Sequence, residues 1–451
     1  MQKFKTHEMN LCEGSLWKNI LVFSVPLMFS NILQVIFNMS DVAVVGKFAG
    51  PIALGAVGST STLVTLFTGV LIGLAGGVNA LTALYVGSKS DDNVRETVHT
   101  SAILCLATGI LIAFLGILFS TRILTVMHTK DELIADAVLY LRIYLLGMPA
   151  LALFNFGNAV LSAIGDTRRP LYYLSFAGVV NILLNLFFVI VCKMGVAGVA
   201  VASILSQYIS AILVLRLLFK CRENYSLCLS HLRISSDKMQ RILKIGIPSA
   251  FQYALFAIAN LFVQTGVNSF DHVMVEGNSA AANADPLVYD MMAAFYTACA
   301  SFIAQNFGAQ KRDRIRKSFL ICLLYSFLAG LLLGVCLYLL RYPFLSLFTS
   351  DGDVVAAGTK RLSVMALSYC VSAFMDCTIA ASRGLGRTIV PTVIVIMGSC
   401  VFRIIWIYTI FSHFHTIESL YLLYVFSWSI TAVAELIYFV WIYRKSVSPV
   451  A

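Results

Sequence analysis

The sequence predicts an all-α polytopic membrane protein with twelve transmembrane helices, arranged as two parallel-duplicated six-helix lobes around a central cleft. Three observations lead there. Hydrophobic residues make up 59% of the 451-residue chain and charged residues only 12%, roughly half the charge with which a soluble domain covers its surface. Apolar runs of about 20 residues, each long enough to cross a bilayer as a helix, recur along the whole chain. The second half then repeats the motifs of the first at a nearly constant offset. The runs are continuously apolar rather than strictly alternating, which argues against a β-barrel. The formal charge of +10 does not imply nucleic acid, because the basic residues sit in short loops between apolar runs, where they set orientation in the bilayer.

The spans fall near 17–45, 52–84, 93–118, 133–164, 169–192 and 197–221, and then near 240–268, 277–307, 315–340, 355–383, 388–411 and 419–443. Several exceed 25 residues, which requires tilt, kinks or protrusion beyond the hydrocarbon. The first carries Pro26, whose missing N–H leaves the carbonyl of Val22 without its helical partner. That bend acts either as a hinge or as a static kink. In the first half "YVGSKSDDNVR" (85–95) resembles "NFGAQKRDRIR" (306–316), and "GDTRRP" (165–170) resembles "GRTIVP" (386–391), both at an offset of 221. Upstream, "FSVPLMFSNIL" (23–33) matches "IGIPSAFQYAL" (245–255), with Pro26 against Pro248 at 222. The chain therefore divides into an N-terminal six-helix lobe (1–222), a connector (223–238) and a C-terminal six-helix lobe (239–451).

Six spans return the chain to its starting side, so the two copies run parallel about a pseudo-two-fold axis along the membrane normal. Lys and Arg concentrate in the loops on one side. Arg216, Lys220, Arg222, Arg233, Lys238, Arg241 and Lys244 cluster in and around the connector, which places it and both termini in the cytoplasm. Once the loops and the flanks of the spans are set aside, only Arg142 and Arg403 are read within spans. No cleavable signal peptide is expected, since "MQKFKTHEMNLCEGS" lacks an apolar core. The eleven cysteines are scattered, mostly within apolar runs, and no CxxC pair suggests metal or redox work.

Polar groups inside the spans carry the functional signal. Asn31, Gln34, Asn38 and Asp41 interrupt the first span at spacings of three, four and three, which stacks them on one helical face. A carboxylate in mid-membrane costs about 2.5–3.5 kcal/mol on insertion scales, so such a face lines a wet cavity; the alternative is that Asp41 lies at the solvated outer end of a long span. Asn181 and Asn185, at i and i+4 in the fifth span, serve either as interhelical hydrogen bonds or as neutral oxygen ligands beside Asp41. Asn155 in the fourth span fits either purpose. In the second copy the seventh span holds Gln252, Asn260, Gln264 and Asn268 but has no acid matching Asp41, whose place falls near Val263. Asp290, Asp376, Arg403 and Glu435 follow in later spans, and Arg403 is expected to pair with Asp376 or Glu435. An enzyme is not expected, because no Walker, HExxH or GxSxG motif is present. "SHFH" (412–415) is read as decoration of an outer loop.

A proline-bent first span, Asp41 before "VVGKFAG", then "YLRIYLLGMP", "GDTRRP", "IGIPSA", "FIAQNFGAQKRDRIRK" and "RGLGRT" together resemble the multidrug and toxic compound extrusion (MATE) transporters, specifically the bacterial branch related to the DNA-damage-inducible members. The resemblance covers nearly the whole chain. It implies secondary antiport coupled to H⁺ or Na⁺ without a further cofactor, and export of small, amphipathic, often cationic organic compounds. It implies a multi-pass protein of the bacterial cytoplasmic membrane, acting as a monomer. It also implies a coupling site at Asp41, Asn181 and Asn185, with Asp41 able to ligate Na⁺, although many members carry Asp where this chain has Asn185. The substrate cavity would be lined by Asn31, Gln34, Asn38, Asn155, Asn260, Gln264, Asp290, Asp376 and Arg403, with Pro26 as hinge. A lipid-linked oligosaccharide flippase of the same superfamily is the alternative; it would need a cleft dense in Arg and Lys. A non-transporting receptor or scaffold would not need polar stripes in both halves.

Overall fold

Helix follows helix wherever the hydropathy rises. In the computed structural model residues 8–447 are described, and no strand occurs among them. Helix α1 (Leu16–Phe48) is continuous through Pro26. Gly50, at φ 92°, takes a conformation open to glycine and turns the chain into α2 (Pro51–Gly87). Pro51 opens that helix at a position where its missing N–H costs nothing. Helix α3 (Asp91–Val126) has Asp91 and Asp92 in its first turn, where they complement the helix dipole. The next run is broken into α4 (Asp131–Leu145) and α5 (Met148–Ala163), bent by 45° at a junction containing Gly147 and Pro149. Then come α6 (Arg168–Val191), which closes on a π-type turn at Phe187–Val191, and α7 (Gly195–Lys220).

The second half contains α8 (Ser236–Val267), α9 (His272–Ala282), α10 (Ala284–Gly308), α11 (Arg312–Leu339), α12 (Gly352–Gly384), α13 (Ile389–Phe414) and α14 (Ile417–Val447). Eleven of the described helical runs are long and apolar enough to cross a membrane, with α9 and α10 taken as one. The bent pair α4–α5 makes twelve, in agreement with the twelve spans expected. The chain ends, assigned by their charge to the cytoplasm, lie outside the described residues.

The chain packs into two compact units that trade segments across the repeat boundary. Unit 1 holds the segment ending at Asn10 together with Phe29–Ala250; unit 2 holds Leu11–Met28 together with the chain from Phe251 onward. The chain therefore passes between units two residues after Pro26, within α1, and again two residues after Pro248, within α8. Side chains explain the assignment. In unit 2, Phe23 meets Phe302 edge-on at 5.6 Å and Trp17 meets Tyr325 at 5.5 Å. Arg314 donates to the carbonyls of Leu11, Glu13 and Gly14 at 3.2, 3.2 and 3.0 Å. In unit 1, glycines admit the first half of α8 against α2. A Cβ on Gly73 would lie 2.5 Å from the Ala250 nitrogen, and one on Gly77 would lie 2.7 Å from the Ile242 oxygen.

The connector is strapped to the start of α3. The N–H of Cys228 donates to His99 Nε2 at 3.1 Å, while His99 Nδ1 lies 2.7 Å from the Arg95 carbonyl oxygen. Nδ1 therefore carries the proton and the ring is neutral. Ser235 N–H donates to Thr100 Oγ1 at 3.0 Å, and Arg233 pairs with Glu96 at 3.4 Å.

Candidate functional site

Unit 1 gathers its polar groups where α1, α6 and α7 meet. Close approach of the first two helices depends on Gly178 of α6. The ring of Phe37 lies where a Cβ would be, only 1.8 Å away. One turn further along α1, Asp41 reaches across. Its Oδ1 accepts from Asn185 Nδ2 at 2.5 Å and its Oδ2 accepts from Ser203 Oγ at 2.9 Å. Asn185 Nδ2 also donates to Asn181 Oδ1 at 3.2 Å. Asn181, Asn185 and Ser203 are buried, and Asp41 is half-buried. Asp41 is thus held by two donors within the bundle instead of being solvated at a helix end.

This arrangement is incompletely satisfied. The buried Asn185 Oδ1 has no hydrogen-bond partner among the described residues. Burying an amide oxygen without a partner costs about 1–3 kcal/mol, so the site retains an unused acceptor beside a carboxylate. Asp41, Asn181, Asn185 and Ser203 supply hard oxygen donors, the type that suits a small hard cation; a proton on Asp41 is the other way to neutralise the charge. Tyr140 and Tyr144 of α4 stack at 5.8 Å and lie within electrostatic reach of Asp41.

The remaining polar residues of the α1 stripe do not join this cluster. Gln34 and Asn38 are exposed on the same helix and Asn31 is half-buried. Asn155 sits in α5 with a buried Nδ2 that has no hydrogen-bond partner among the described residues. Sequence reasoning missed Ser203 and the two tyrosines. A serine among small residues of α7 gives no signal, whereas the i, i+4 tyrosine pair in "YLRIY" would have been detectable.

In unit 2, Asp376 accepts from Tyr289 Oη at 3.0 Å, Gln264 donates to Asn268 Oδ1 at 2.9 Å, and Asp290 is half-buried in α10. Glu435 is fully buried, with neither carboxyl oxygen hydrogen-bonded among the described residues. The pairing expected for Arg403 does not occur: among the described residues no carboxylate comes within 4.0 Å of it. Its Nε donates to Ser427 Oγ at 3.3 Å and its Nη1 to Asn260 Oδ1 at 3.0 Å, with the guanidinium 4.5 Å from the Tyr424 ring centre. Hydrogen bonding and ring contact replace the ion pair.

Among the described residues the ion pair of this unit is elsewhere, on an arginine that the sequence reading counted as a flank of its span. Arg361 of α12, 5% exposed, binds Asp285 at 2.5 Å and donates to Asn278 Oδ1 at 2.8 Å; Tyr369 Oη donates to the same carboxylate. Asn278 belongs to α9 and Asp285 to the first turn of α10. Arg361 therefore clamps both sides of the α9–α10 break.

The family model for MatE matches the chain twice, over residues 26–187 and 248–409. The two matches begin at Pro26 and Pro248 and end at residues 187 and 409, an offset of 222 at both ends. The chain belongs to the MatE family. A probable multidrug resistance protein, YpnP, of Bacillus subtilis (strain 168) is 30% identical over 361 residues, covering 79% of this chain and 80% of that protein. A probable multidrug resistance protein, NorM, of Thermotoga maritima is 24% identical over 84% of this chain and 82% of its own. The fold superposes on an outward-facing multidrug resistance MATE family transporter of the MOP superfamily with a TM-score of 0.91, at 22% identity, covering 98% of this chain and 99% of the other. A duplicated, two-lobe, multi-pass membrane architecture is common to this MatE chain and its structural neighbours.

Proposed function

We propose that this MatE protein is a secondary active multidrug exporter, moving amphipathic, often cationic organic compounds outward in exchange for H⁺ or Na⁺. One observation carries the reading: Asp41 is drawn into a buried oxygen-rich cluster with Asn185, Asn181 and Ser203, with an orphaned acceptor beside it. A carboxylate removed from water is stable when neutralised by a proton or cation, and less so bare. The ionised form draws in the donors of Asn185 and Ser203. Protonation cancels the charge these donors answer. Na⁺ calls for the amide oxygen of Asn185 in place of its N–H, a rotation about one side-chain bond. Each change alters the contact between α1 and α6–α7. A cationic substrate that competes with the ion for this carboxylate, or for the conformation it stabilises, is expelled as the ion binds; that is antiport expressed as linkage. The connector and both termini lie in the cytoplasm, the coupling ion enters from outside, and Pro26 is the hinge through which α1 responds.

The test is gradient-driven efflux of a cationic dye from proteoliposomes, with pH and Na⁺ gradients imposed separately. Asp41→Asn keeps the shape and removes the titratable charge. It should insert normally and lose ion-driven transport, while Asn185→Asp should increase any dependence on Na⁺. Transport by Asp41→Asn at the wild-type rate with an unchanged pH profile would refute the coupling role.

A further inference from the structure

Arg403 is a buried charge without a counter-charge. It is 2% exposed, yet among the described residues it makes two hydrogen bonds, to Ser427 and Asn260, and no ion pair. A guanidinium has five N–H donors and stays protonated, so three donors and a full positive charge await an acceptor. Asn260 itself is exposed on α8, so the guanidinium lies just beneath an accessible polar residue. The ring centres of Tyr424 and Phe256 lie 4.5 and 5.8 Å from Arg403 Cζ and form an aromatic wall.

The duplication gives this position meaning. At the family offset of 222, Asn260 corresponds to Asn38, Val263 to Asp41 and Arg403 to Asn181. The same three-helix junction that holds a carboxylate in unit 1 holds a guanidinium in unit 2. The local backbone differs as well. The π-type turn ending α6 has its counterpart at Ile407–Phe411, but α13 has a second one, Ile396–Val401, ending two residues before Arg403. Such a turn accommodates one extra residue and re-aims the side chains after it, and it recurs at functional sites. It also accounts for the change in offset from 221 at "GRTIVP" to 222.

We infer that Arg403 is the centre of a binding site for amphiphilic oxyanions: a carboxylate, sulfonate or phosphate ester carried on an apolar body. The planar fork meets the oxyanion through its unused N–H groups, and Phe256 and Tyr424 receive the apolar part. The site needs neither Asp41 nor an ion gradient, so its test is independent of the coupling mechanism.

The full chain, in micelles of the uncharged detergent dodecyl maltoside, is titrated with n-octanesulfonate or with uncharged n-octanesulfonamide, reading the thermal midpoint and the tryptophan emission; Trp428 lies 5.6 Å from Tyr424. A second arm replaces the added sulfonate with phosphatidylglycerol in the micelle. The wild type should be stabilised by sulfonate and not by sulfonamide. Stabilisation in the second arm alone makes the oxyanion a lipid headgroup, which also supports the site. Arg403→Gln should abolish the response and Arg403→Lys should weaken it. Asn260→Asp guards against misfolding as the explanation: it places a carboxylate beside Nη1, so it should raise the midpoint without ligand and weaken binding by about tenfold or more. A wild type that responds in neither arm, or an Asn260→Asp protein that responds as strongly as the wild type, overturns the inference.

Discussion

Removing the carboxylate of Asp285 should destabilise unit 2 far more than removing its partner. Asp285→Asn preserves shape but leaves Arg361, whose side chain is 6% exposed, with a buried and unpaired charge. Breaking a buried pair costs about 3–5 kcal/mol. The lower end applies, about 3 kcal/mol, because the Asp285 side chain is 34% exposed and water already screens part of the attraction. Arg361→Met leaves the opposite orphan, a carboxylate that can rehydrate, and should cost nearer 1 kcal/mol. With the arginine already gone, Asp285→Asn has no charge left to strand and the double variant should lose only about 1 kcal/mol, so it should be more stable than the sum of the singles by about 3 kcal/mol. An unfolding entropy of about 2 cal/mol/K per residue turns about 3 kcal/mol into a fall of about 3 °C if the whole chain melts together, and about twice that if unit 2 melts alone. Thermal unfolding of the purified chain and its three variants in one detergent measures this. Equal losses from the two single changes, or strict additivity in the double, would refute the reading of Arg361 as the clamp of the α9–α10 break.

Gly178→Ala should push α1 away from α6, since the added Cβ falls 1.8 Å from the Phe37 ring. A loss of about 1–3 kcal/mol is expected, with partial recovery when Phe37→Leu is added, both read by thermal unfolding. Ser203→Ala removes one donor from ionised Asp41 and should therefore favour the protonated form, so the pH profile of dye efflux should move upward; an unmoved profile separates Ser203 from the coupling site. The exposed Cys228 thiol is lowered to about 7 by hydrogen bonds from Ser230, with Oγ 3.0 Å away, and by His231 beyond it. A depressed thiol pKa means the thiolate is present above that value and lost below it. Maleimide labelling of Cys228 should therefore rise steeply between about pH 6 and pH 8, and Ser230→Ala should shift the curve upward. In a background lacking the exposed Cys192 and Cys336, labelling of intact cells at Cys228 would contradict a cytoplasmic connector; a cysteine placed at Ser412 should label from outside.

Hydropathy made the spans legible because a bilayer leaves little choice: an apolar run of sufficient length must be a helix that satisfies its own backbone. The Asp41–Asn181–Asn185 cluster could be anticipated for a related reason, since polar groups are costly in lipid and seek one another. What escaped was partner choice between distant segments. Asn260 is 143 residues from Arg403, and no periodicity within one helix reports such a contact, so the nearest acids by role, Asp376 and Glu435, looked like the natural partners. Arg361 escaped because it follows Lys360 near the start of a helix, where a basic residue reads as a loop anchor. The exchange of segments between units was illegible too, because hydropathy says that α1 is apolar but not that its two halves pack with different companions.

That exchange bears on how the molecule is made. Leu11–Met28 leaves the ribosome well ahead of its packing partners in unit 2: Cys12 reaches Gln305, 293 residues away, and Arg314 closes on Gly14 across 300. At about 5–20 residues per second of synthesis, roughly 15–60 seconds separate the two ends of that contact. During this interval the first half of α1 must wait in the bilayer or at its surface without its neighbours, while the second half can already dock on α6 and α7. Biogenesis therefore closes with a step that returns to a segment made long before. A nascent polypeptide halted at the connector holds most of unit 1 and also carries an unclaimed piece of the unit not yet written.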